Sequence, residues 1–198
     1  MTKRVVDLVV AVALLVVLLP VLLLTAALVA VGFGRPILFR QARAGLHGQP
    51  FLVVKFRTML AVDARRGRVS DADRLTPLGR FLRATSLDEL PSLWNVVRGE
   101  MSLVGPRPLP VGYLDRYTAE QARRHEVRPG VTGLAQVRGR NWLGWDEKLA
   151  LDVTYVDTHN ARLDARILAE TVVTVLRRDG INAEGSATAP EFLGRTNA

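Results

Sequence analysis

The feature that most constrains this chain is its N-terminal segment, which is apolar over an unusual length. Between Val5 and Val31 the only charged residue is Asp7, and Val, Leu and Ala dominate the rest. A straight helix over these residues would be roughly 40 Å long, whereas the hydrocarbon core of a bilayer is about 30 Å thick. A secretory signal peptide is the competing interpretation, but its apolar core spans only about 7 to 15 residues. The segment therefore predicts membrane insertion.

Pro20 lies near the middle of this segment and leaves two topologies open. Proline removes a backbone donor and clashes with the carbonyl of Val16, so it kinks or breaks the helix at a cost of about 3 kcal/mol. The basic residues on the two flanks are Lys3, Arg4, Arg35, Arg40 and Arg43. Because positive residues stay on the cytoplasmic side, these flanks favour a re-entrant hairpin. A kinked single-pass anchor is compatible with the same residues.

Composition narrows the class of partner and of chemistry. The chain has 198 residues, a length that suits one domain, and 27 Lys and Arg against 19 Asp and Glu give a net charge of +8. This excess favours anionic partners such as phosphates, nucleotides, nucleic acid or lipid headgroups. The sequence has no cysteine, which excludes disulfides and thiolate metal sites. Any catalysis must therefore use carboxylates, basic groups or hydroxyls.

The pattern after the apolar segment predicts an α+β fold that is mainly helical. Two apolar stretches, 37–40 and 51–56, flank a segment with Gly and Pro and indicate a small β-hairpin. The charged stretch 63–74 lacks apolar periodicity and is expected to be an exposed loop. The tail after Asp179 is expected to be loose. Helices are expected at 78–83, 93–97, 118–125, 145–158 and 165–177.

Two adjacent carboxylates, Asp88 and Glu89, stand out in the stretch "RATSLDELPSLWNV". Ser86 and Glu89 fit a capping box, and Pro91 is the alternative first residue of the helix. Either way, both carboxylates would lie at a helix N-terminus, which lowers the pKa of a carboxylate and keeps Asp88 ionised. An ionised aspartate there is a candidate nucleophile or metal ligand. The simpler alternative is that the pair only caps a helix.

Basic residues in neighbouring motifs strengthen the catalytic interpretation. Lys55 and Arg57 are two residues apart in "KFRTM", a spacing that places them on one side of a strand. Arg107 lies between two prolines in "GPRP", where its planar guanidinium could be held for bidentate contact with a phosphate. Arg83 precedes Asp88 by five residues. Carboxylates, magnesium and arginines together suit transfer of a phosphoryl group.

Four motifs in order resemble a known family over nearly the whole chain. They are "FRQARAGLHGQPFLVVKFRTM", "RLTPLGRFLRATSLDELPSLWNVVRGEMSLVGPRPL", "RPGVTGLAQVRGRN" and "LDVTYV". They resemble the bacterial sugar transferases, also called monotopic phosphoglycosyl transferases. The resemblance implies transfer of a sugar 1-phosphate from a nucleoside diphosphate sugar, usually a UDP-sugar, to polyprenyl phosphate. It further implies a re-entrant membrane helix over residues 1–34 and a catalytic domain over 35–198 at the cytoplasmic face of the bacterial inner membrane.

The resemblance also implies roles for particular residues. Asp88 would be the nucleophile that forms a phosphosugar-aspartate intermediate, and it would help to hold Mg2+, with Glu89 assisting. Arg83 is implied as a contact of the polyprenyl phosphate. The residues implied to bind substrate and phosphate are Lys55, Arg57, Arg83, Arg107, Gln136 and Arg140. Asp152, Tyr155 and Asp164 would serve equally well in structural hydrogen bonds.

One residue departs from the family pattern, and one alternative function stays open. Family members often have a hydroxyl residue before the helix-breaking proline, whereas this chain has Leu19. The implied partners are a nucleoside diphosphate sugar, polyprenyl phosphate and membrane lipid, without nucleic acid, and a homodimer stays open. The alternative function is a membrane-anchored basic module that binds anionic lipid or nucleic acid without catalysis, in which Asp88 and Glu89 only cap a helix.

Overall fold

The computed structural model describes residues 2–139, 143–177 and 191–194. The fold is α+β and mainly helical, as predicted. The α-helices are α1 (Thr2–Val17), α2 (Leu19–Phe33), α3 (Asp71–Arg74), α4 (Pro77–Ala84), α5 (Leu93–Arg98), α6 (Ala119–Ala122), α7 (Leu134–Arg138), α8 (Trp145–Thr158) and α9 (Ala161–Arg177). The β-strands are β1 (Leu38–Ala44), β2 (Pro50–Phe56), β3 (Ser102–Val104) and β4 (Gly130–Thr132). Short 3-10 helices span Leu46–Gly48, Ala64–Arg66, Leu87–Ser92, Val111–Arg116 and Arg123–Glu126.

The apolar N-terminal segment forms a bent pair of helices. The break falls at Leu18, two residues before Pro20, and α1 and α2 meet at a bend of 63°. Pro20 sits in the first turn of α2, where its missing N–H would have no intrahelical partner in any case. No single helix among the described residues is both long and apolar enough to cross a bilayer. Taken together, α1 and α2 have the length and composition for it.

Asp7, the single charge inside the apolar segment, is buried in protein contacts. Asp7 is only 5% exposed, and its Oδ2 accepts a hydrogen bond from the Ser102 hydroxyl at 2.7 Å. The Leu103 N–H donates to Oδ1 at 3.3 Å. Asp7 is therefore the point at which α1 is fixed to β3, which explains why the apolar segment carries a charge.

Two basic residues complete this attachment. Lys3 Nζ lies 2.5 Å from Asp164 Oδ2 in α9. Arg4 donates from Nη1 and Nη2 to the carbonyls of Val96 and Val97, at 2.5 Å and 2.9 Å, and so satisfies acceptors at the C-terminal end of α5. We call the following residues the junction cluster: Lys3, Arg4, Asp7 and Asp164.

The predicted β-hairpin is confirmed. Strands β1 and β2 pair antiparallel from Leu38 opposite Phe56 to Ala44 opposite Pro50, so β1 extends beyond the predicted stretch 37–40. The hairpin packs against α2 and α4 through a small core of Val29, Phe33, Phe56 and Leu82. This packing fixes α2 close to the strand that carries Lys55.

The charged stretch 63–74 is more ordered than predicted. It contains the 3-10 helix Ala64–Arg66 and the single turn of α3. Ser70 and Asp73 form a reciprocal capping box at the start of α3, which satisfies the first backbone donors of the turn. The expectation of a plain loop was wrong because these local hydrogen bonds form a helical turn without apolar periodicity.

A parallel pairing of β3 with β4 was not predicted. Ser102 lies opposite Gly130, and Val104 opposite Thr132. A Cβ at Gly130 would lie 2.1 Å from the backbone nitrogen of Gly105, so glycine is required for the close approach of the two chains. The pairing fixes the start of the "GPRP" loop. The main core around it comprises Ala11, Val53, Leu93, Val96, Met101, Leu103, Val104, Leu134, Tyr155 and Ile167.

The C-terminal helices follow the predictions, with differences at their ends. Helix α8 has the predicted bounds, and α9 begins at Ala161 because Asn160 Oδ1 accepts a hydrogen bond from the Leu163 N–H at 2.9 Å. The predicted helix 118–125 is divided into α6 and the 3-10 helix that follows it. Of the predicted loose tail, the structure describes only residues 191–194, where Phe192 is 3% exposed and packs on Tyr113 and Tyr117. The rest of that tail lies outside the described residues.

Candidate active site

The acidic pair lies in a 3-10 helix, and the predicted capping box is absent. Ser86 adopts a left-handed conformation with φ of 56°, and its side chain forms no cap hydrogen bond. The chain then continues as the 3-10 helix Leu87–Ser92, with Asp88 and Glu89 in its first turn, and α5 begins only at Leu93. Positive φ at Ser86 turns the chain sharply after α4, which directs the acidic turn towards β2.

Glu89 is the electrostatic centre of the site. Its Oε1 lies 2.6 Å from Lys55 Nζ and 2.7 Å from Arg107 Nη2. Burial alone would raise the pKa of Glu89, but the nearby charges of Arg107 and Lys55 outweigh burial and hold the pKa below its ordinary value. Glu89 is therefore ionised, and the positive charges of Lys55 and Arg107 balance its negative charge. The structure thus brings together four predicted residues, which we call the site cluster: Lys55, Asp88, Glu89 and Arg107.

Asp88 is in a different electrostatic state from its neighbour. It is 9% exposed, and among the residues that the structure describes no side chain forms an ion pair with its carboxylate. Burial and then the charge of Glu89 raise its pKa from 3.8 to about 6, while Lys55, Arg107 and Arg83 oppose the rise. The expected depression of this pKa was wrong, because burial and a like charge outweigh one short helical turn.

Lys55 and Arg107 both bind Glu89, but Lys55 precedes it in the sequence and Arg107 follows it. Lys55 lies on β2, and burial lowers its pKa while the charge of Glu89 opposes that change. Arg107 lies in the loop that leaves β3, and the charge of Glu89 raises its pKa. The Arg107 side chain keeps 46% of its surface exposed. One edge of its guanidinium thus binds Glu89, and the remaining donors can face a ligand.

The backbone of Arg107 is held by a buried ion pair that the sequence analysis did not identify. Arg124 Nη2 donates to the Arg107 carbonyl at 2.7 Å and to Asp152 Oδ2 at 2.7 Å. Arg124 and Asp152 are 2% and 3% exposed. Arg124 sits in a charged stretch that looks like solvated surface in the sequence, so no local signal marked it.

Residues of "LDVTYV" serve structural contacts, which the sequence analysis held open. Asp152 binds Arg124, as described above. The Tyr155 hydroxyl lies 2.7 Å from Asp164 Oδ1 and 3.0 Å from the Val104 carbonyl. Tyr155 therefore ties α8 to α9 and to β3, on the side of the junction cluster.

Arg83 lies beside the site cluster. Its Nε donates to Thr58 Oγ1 at 3.0 Å, and its charge is among those that lower the pKa of Asp88. Burial lowers the pKa of Arg83 itself, with Asp88 opposing. This position is compatible with a contact to an anionic substrate at Asp88, and the role of Arg83 stays a prediction.

Arg57 points away from the site cluster, although it is two residues from Lys55. Its guanidinium donates to the carbonyls of Arg35 and Gly34, both at 3.3 Å, and lies 5.8 Å from the ring centroid of Phe33. Strand β2 ends at Phe56, so the alternation that would place Arg57 beside Lys55 stops first. In this structure Arg57 binds the end of α2.

The other two predicted substrate-binding residues do not join the site cluster in the part that the structure describes. Gln136 lies in α7, where its Nε2 is 3.5 Å from the Val131 carbonyl and its Oε1 is buried with no hydrogen-bond partner among the described residues. Arg140 falls in the gap 140–142, outside the described residues. Their proposed roles stay predictions.

The acidic side chains of the site can be compared with the ligands that a metal ion requires. Within residues 2–139, 143–177 and 191–194, no group of three or more acidic or histidine side chains could hold a metal. Glu89 is already paired with two cations, so Asp88 is the carboxylate left for a hard cation. Mg2+ commonly binds one or two carboxylates together with substrate phosphates and waters. A single aspartate fits that mode, and an all-protein cage does not.

The site has the parts of an enzyme that acts on phosphates: a buried carboxylate that forms no ion pair with a described side chain, a neutralised carboxylate beside it, and a surrounding set of cations. Comparison with known proteins places the chain in a family. Residues 1–178 match the family model described as bacterial sugar transferase, and the chain belongs to that family. It is therefore an enzyme, and the non-catalytic binding module is not supported.

Individual relatives agree with this assignment. The uncharacterized sugar transferase EpsL of Bacillus subtilis is 49% identical over 193 residues, which cover 97% of this chain and 96% of that protein. A UDP-glucose:undecaprenyl-phosphate glucose-1-phosphate transferase of Caulobacter vibrioides is 44% identical, over 89% of this chain and 70% of its own length. An undecaprenyl-phosphate galactose phosphotransferase of Salmonella typhimurium is 40% identical, over 74% of this chain and 35% of its own length.

Proposed function

We propose that this chain transfers a sugar 1-phosphate from a UDP-sugar to polyprenyl phosphate through a covalent intermediate on Asp88. Relatives with 44% and 40% identity carry names that specify undecaprenyl-phosphate sugar-phosphate transfer. The single observation that carries the mechanism is the contrast within the acidic pair. Glu89 is neutralised by two cations, whereas Asp88 is buried without an ion pair to any described side chain.

The protonation state of Asp88 suits a nucleophile. With a pKa of about 6, the carboxylate is mostly ionised at neutral pH, yet it is a stronger base than an ordinary aspartate. A perturbed pKa of this kind, with a physical cause in the site, is a common feature of catalytic groups. Burial also leaves the carboxylate poorly solvated, so that little water must be displaced before attack.

The first step releases the nucleotide. An Asp88 oxygen attacks the phosphorus next to the sugar and forms a P–O bond, while the P–O bond to the nucleoside monophosphate breaks and that group leaves with the electron pair. Charge shifts to the departing phosphate, and cations placed nearby stabilise it. Arg107 has donors left for this contact because Glu89 occupies only its Nη2.

The second step transfers the sugar phosphate to the lipid. An oxygen of polyprenyl phosphate attacks the phosphorus of the aspartyl intermediate, the bond to Asp88 breaks, and the carboxylate is restored. The product is a polyprenyl diphosphate sugar. Arg83 lies on the α4 side of Asp88 and is the proposed contact for the phosphate of the acceptor.

We propose Mg2+ as the metal of this site, held by Asp88 together with phosphate oxygens and waters. Magnesium supplies charge neutralisation for the diphosphate. Lys55 and Arg107 hold Glu89 beside Asp88. Because no described side chain forms an ion pair with Asp88, its carboxylate can bind Mg2+ without first breaking such a pair.

We further propose that residues 1–34 form a re-entrant membrane helix and that residues 35–198 act at the cytoplasmic face of the bacterial inner membrane. The 63° bend between α1 and α2 and the basic flanks support this topology. Tags at both termini should then be inaccessible to reagents added outside intact cells. An externally labelled N-terminus with an internal C-terminus would instead indicate a single-pass anchor.

Turnover with defined substrates tests the proposed function. Purified full-length protein is incubated with polyprenyl phosphate, Mg2+ and a panel of UDP-sugars, and release of UMP is followed. We expect UMP release with at least one donor and none with Asp88→Asn. Asp7→Asn, a buried aspartate of the junction cluster, is the matched control and should release UMP. Normal turnover by well-folded Asp88→Asn would refute the role of Asp88.

A further inference from the structure

Two cations near Arg107 have no acidic partner in the part of the chain that the structure describes. Arg43 Nη2 donates to the amide oxygen of Gln41 at 2.6 Å. Lys148 Nζ lies 5.1 Å from the ring centroid of Trp145. Neither residue forms an ion pair with a described carboxylate, although both are partly buried. Buried charges are usually paired, so these two cations are candidates for binding an anion.

Backbone pairing places Arg43 against the loop that carries Arg107. Arg43 pairs with Pro110 in an isolated antiparallel bridge, and the Ala44 N–H donates to the Leu109 carbonyl at 3.0 Å. Pro110 follows Arg107 by only three residues. The end of β1 and the "GPRP" loop are therefore held side by side.

Helical spacing places Lys148 on the face of α8 that carries Asp152. Lys148 precedes Asp152 by four residues in α8, so the two side chains share one face of the helix. Asp152 binds Arg124, which holds the Arg107 carbonyl. The face of α8 that carries Lys148 is thus turned towards Arg107.

Electrostatics agree with this placement. Burial, and after it the charge of Arg107, lower the pKa of Arg43 and also the pKa of Lys148, while Tyr113 and Glu89 oppose this change at Arg43. Both cations therefore feel Arg107, whose own charge is already engaged by Glu89. The result is a local excess of positive charge that a phosphate would neutralise.

We propose that Arg43 and Lys148 form the subsite for the nucleotide-proximal phosphate of the donor. The inference rests on the proposed function, which makes that phosphate the leaving group. As the P–O bond breaks, negative charge grows on the departing nucleoside monophosphate, and two cations that form no ion pair with Glu89 can stabilise it. Arg43 and Lys148 would then stabilise the departing phosphate together with Arg107, whose Nη2 also holds Glu89.

The same chemistry would also recognise the phosphate of the lipid acceptor, so the test must separate the two sources. Full-length Arg43→Gln and Lys148→Met are compared with wild type for KM of the UDP-sugar, KM of polyprenyl phosphate, and Kd of UMP by calorimetry. Each variant should raise the donor KM and the UMP Kd about tenfold, as expected for loss of one charge-assisted contact. The acceptor KM should change less than twofold.

Arg40→Gln removes the same charge from an exposed position on the same strand and serves as the matched control. Arg43→Lys keeps a cation and should recover part of the affinity for UMP, which shows that lost binding does not come from misfolding. An unchanged UMP Kd in both variants, or a rise in acceptor KM alone, would overturn the assignment. A wild-type protein that binds UMP but transfers no sugar phosphate would instead contradict the proposed function.

Discussion

The junction cluster and the site cluster are both groups of charges around a buried aspartate, Asp7 and Asp88, but their charges are satisfied to different degrees. In the junction cluster, Asp7 accepts two hydrogen bonds, and Lys3 pairs with Asp164 at 2.5 Å. In the site cluster, the cations converge on Glu89, and Asp88 has no ion pair with any described side chain. Among the described residues, the first arrangement pairs both of its carboxylates, whereas the second pairs Glu89 and leaves Asp88 without an ion pair.

This difference distinguishes structural from functional charges without reference to relatives. A fully paired buried charge contributes to holding elements together, and its loss is a cost in stability. A buried carboxylate that lacks a partner destabilises the folded state, and such a cost is tolerated where the group reacts. We therefore expect substitutions in the junction cluster to change stability, and substitutions in the site cluster to change catalysis.

The largest effect is expected from Arg107→Lys compared with Arg4→Lys. A lysine cannot bind Glu89 and a phosphate at once through a planar fork, so we expect kcat/KM to fall about a hundredfold. Arg4→Lys loses one of two carbonyl contacts and should cost about 1 kcal/mol of unfolding free energy with unchanged kcat. Steady-state kinetics and urea unfolding of both variants measure these changes. Near-normal turnover by Arg107→Lys would show that Arg107, like Arg4, has only a structural role.

An intermediate effect is expected from Asp152→Asn compared with Asp7→Asn. Asp152 acts through Arg124 on the Arg107 carbonyl, so its replacement should lower kcat/KM about tenfold and also reduce stability. Asp7→Asn should reduce stability without that kinetic loss. In an Arg107→Lys background the kinetic effect of Asp152→Asn should largely disappear, because both substitutions act through one residue. Additive kinetic losses would assign Asp152 a purely structural role.

The smallest effect is a gain in stability from Asp88→Asn in the absence of divalent cations. The pKa of Asp88 is raised from 3.8 to about 6 in the folded state, so the folded protein binds this proton more tightly than the unfolded chain. Stability due to this group is therefore greatest below about pH 4 and falls as the pH rises to about 6. At pH 7 the shift of about two pKa units sets an upper limit of about 3 kcal/mol, and the variant should gain a fraction of it, on the order of 1 kcal/mol.

Thermal unfolding in EDTA at pH 4 and at pH 7 measures this gain. The difference between wild type and Asp88→Asn should be present at pH 7 and shrink at pH 4. If wild type and Asp88→Asn were equally stable at pH 4 and also at pH 7, the Asp88 carboxylate would be as well stabilised in the folded protein as that of Asp7. The two clusters would then not differ in this respect.

Much of the fold follows from local patterns in the sequence. The hairpin and α8 follow from apolar periodicity and turn residues, and both are present where predicted. The parallel pairing of β3 with β4 could not be predicted, because strands of three residues carry no periodicity and the pairing joins distant segments. The capping box at Ser86 was a false local signal, since Ser86 adopts a left-handed conformation and its side chain forms no cap hydrogen bond.

The site was predictable only in part. Motifs indicated Asp88, Glu89, Lys55 and Arg107, and the structure brings these four together. The contacts of Arg124, Arg43 and Lys148 depend on long-range packing, and isolated basic residues in a chain of charge +8 give no signal of such packing. The raised pKa of Asp88 depends on burial, which sequence spacing does not report.

The central claim is that Asp88 becomes covalently attached to the sugar phosphate before the acceptor reacts. Purified protein is incubated with Mg2+ and a competent UDP-sugar, without polyprenyl phosphate, and its intact mass and released UMP are measured. The account predicts a mass increase of one sugar-phosphate group, one UMP released per protein, loss of the adduct on addition of polyprenyl phosphate, and no adduct with Asp88→Asn. Turnover that requires both substrates, with no adduct and no early UMP, would contradict it.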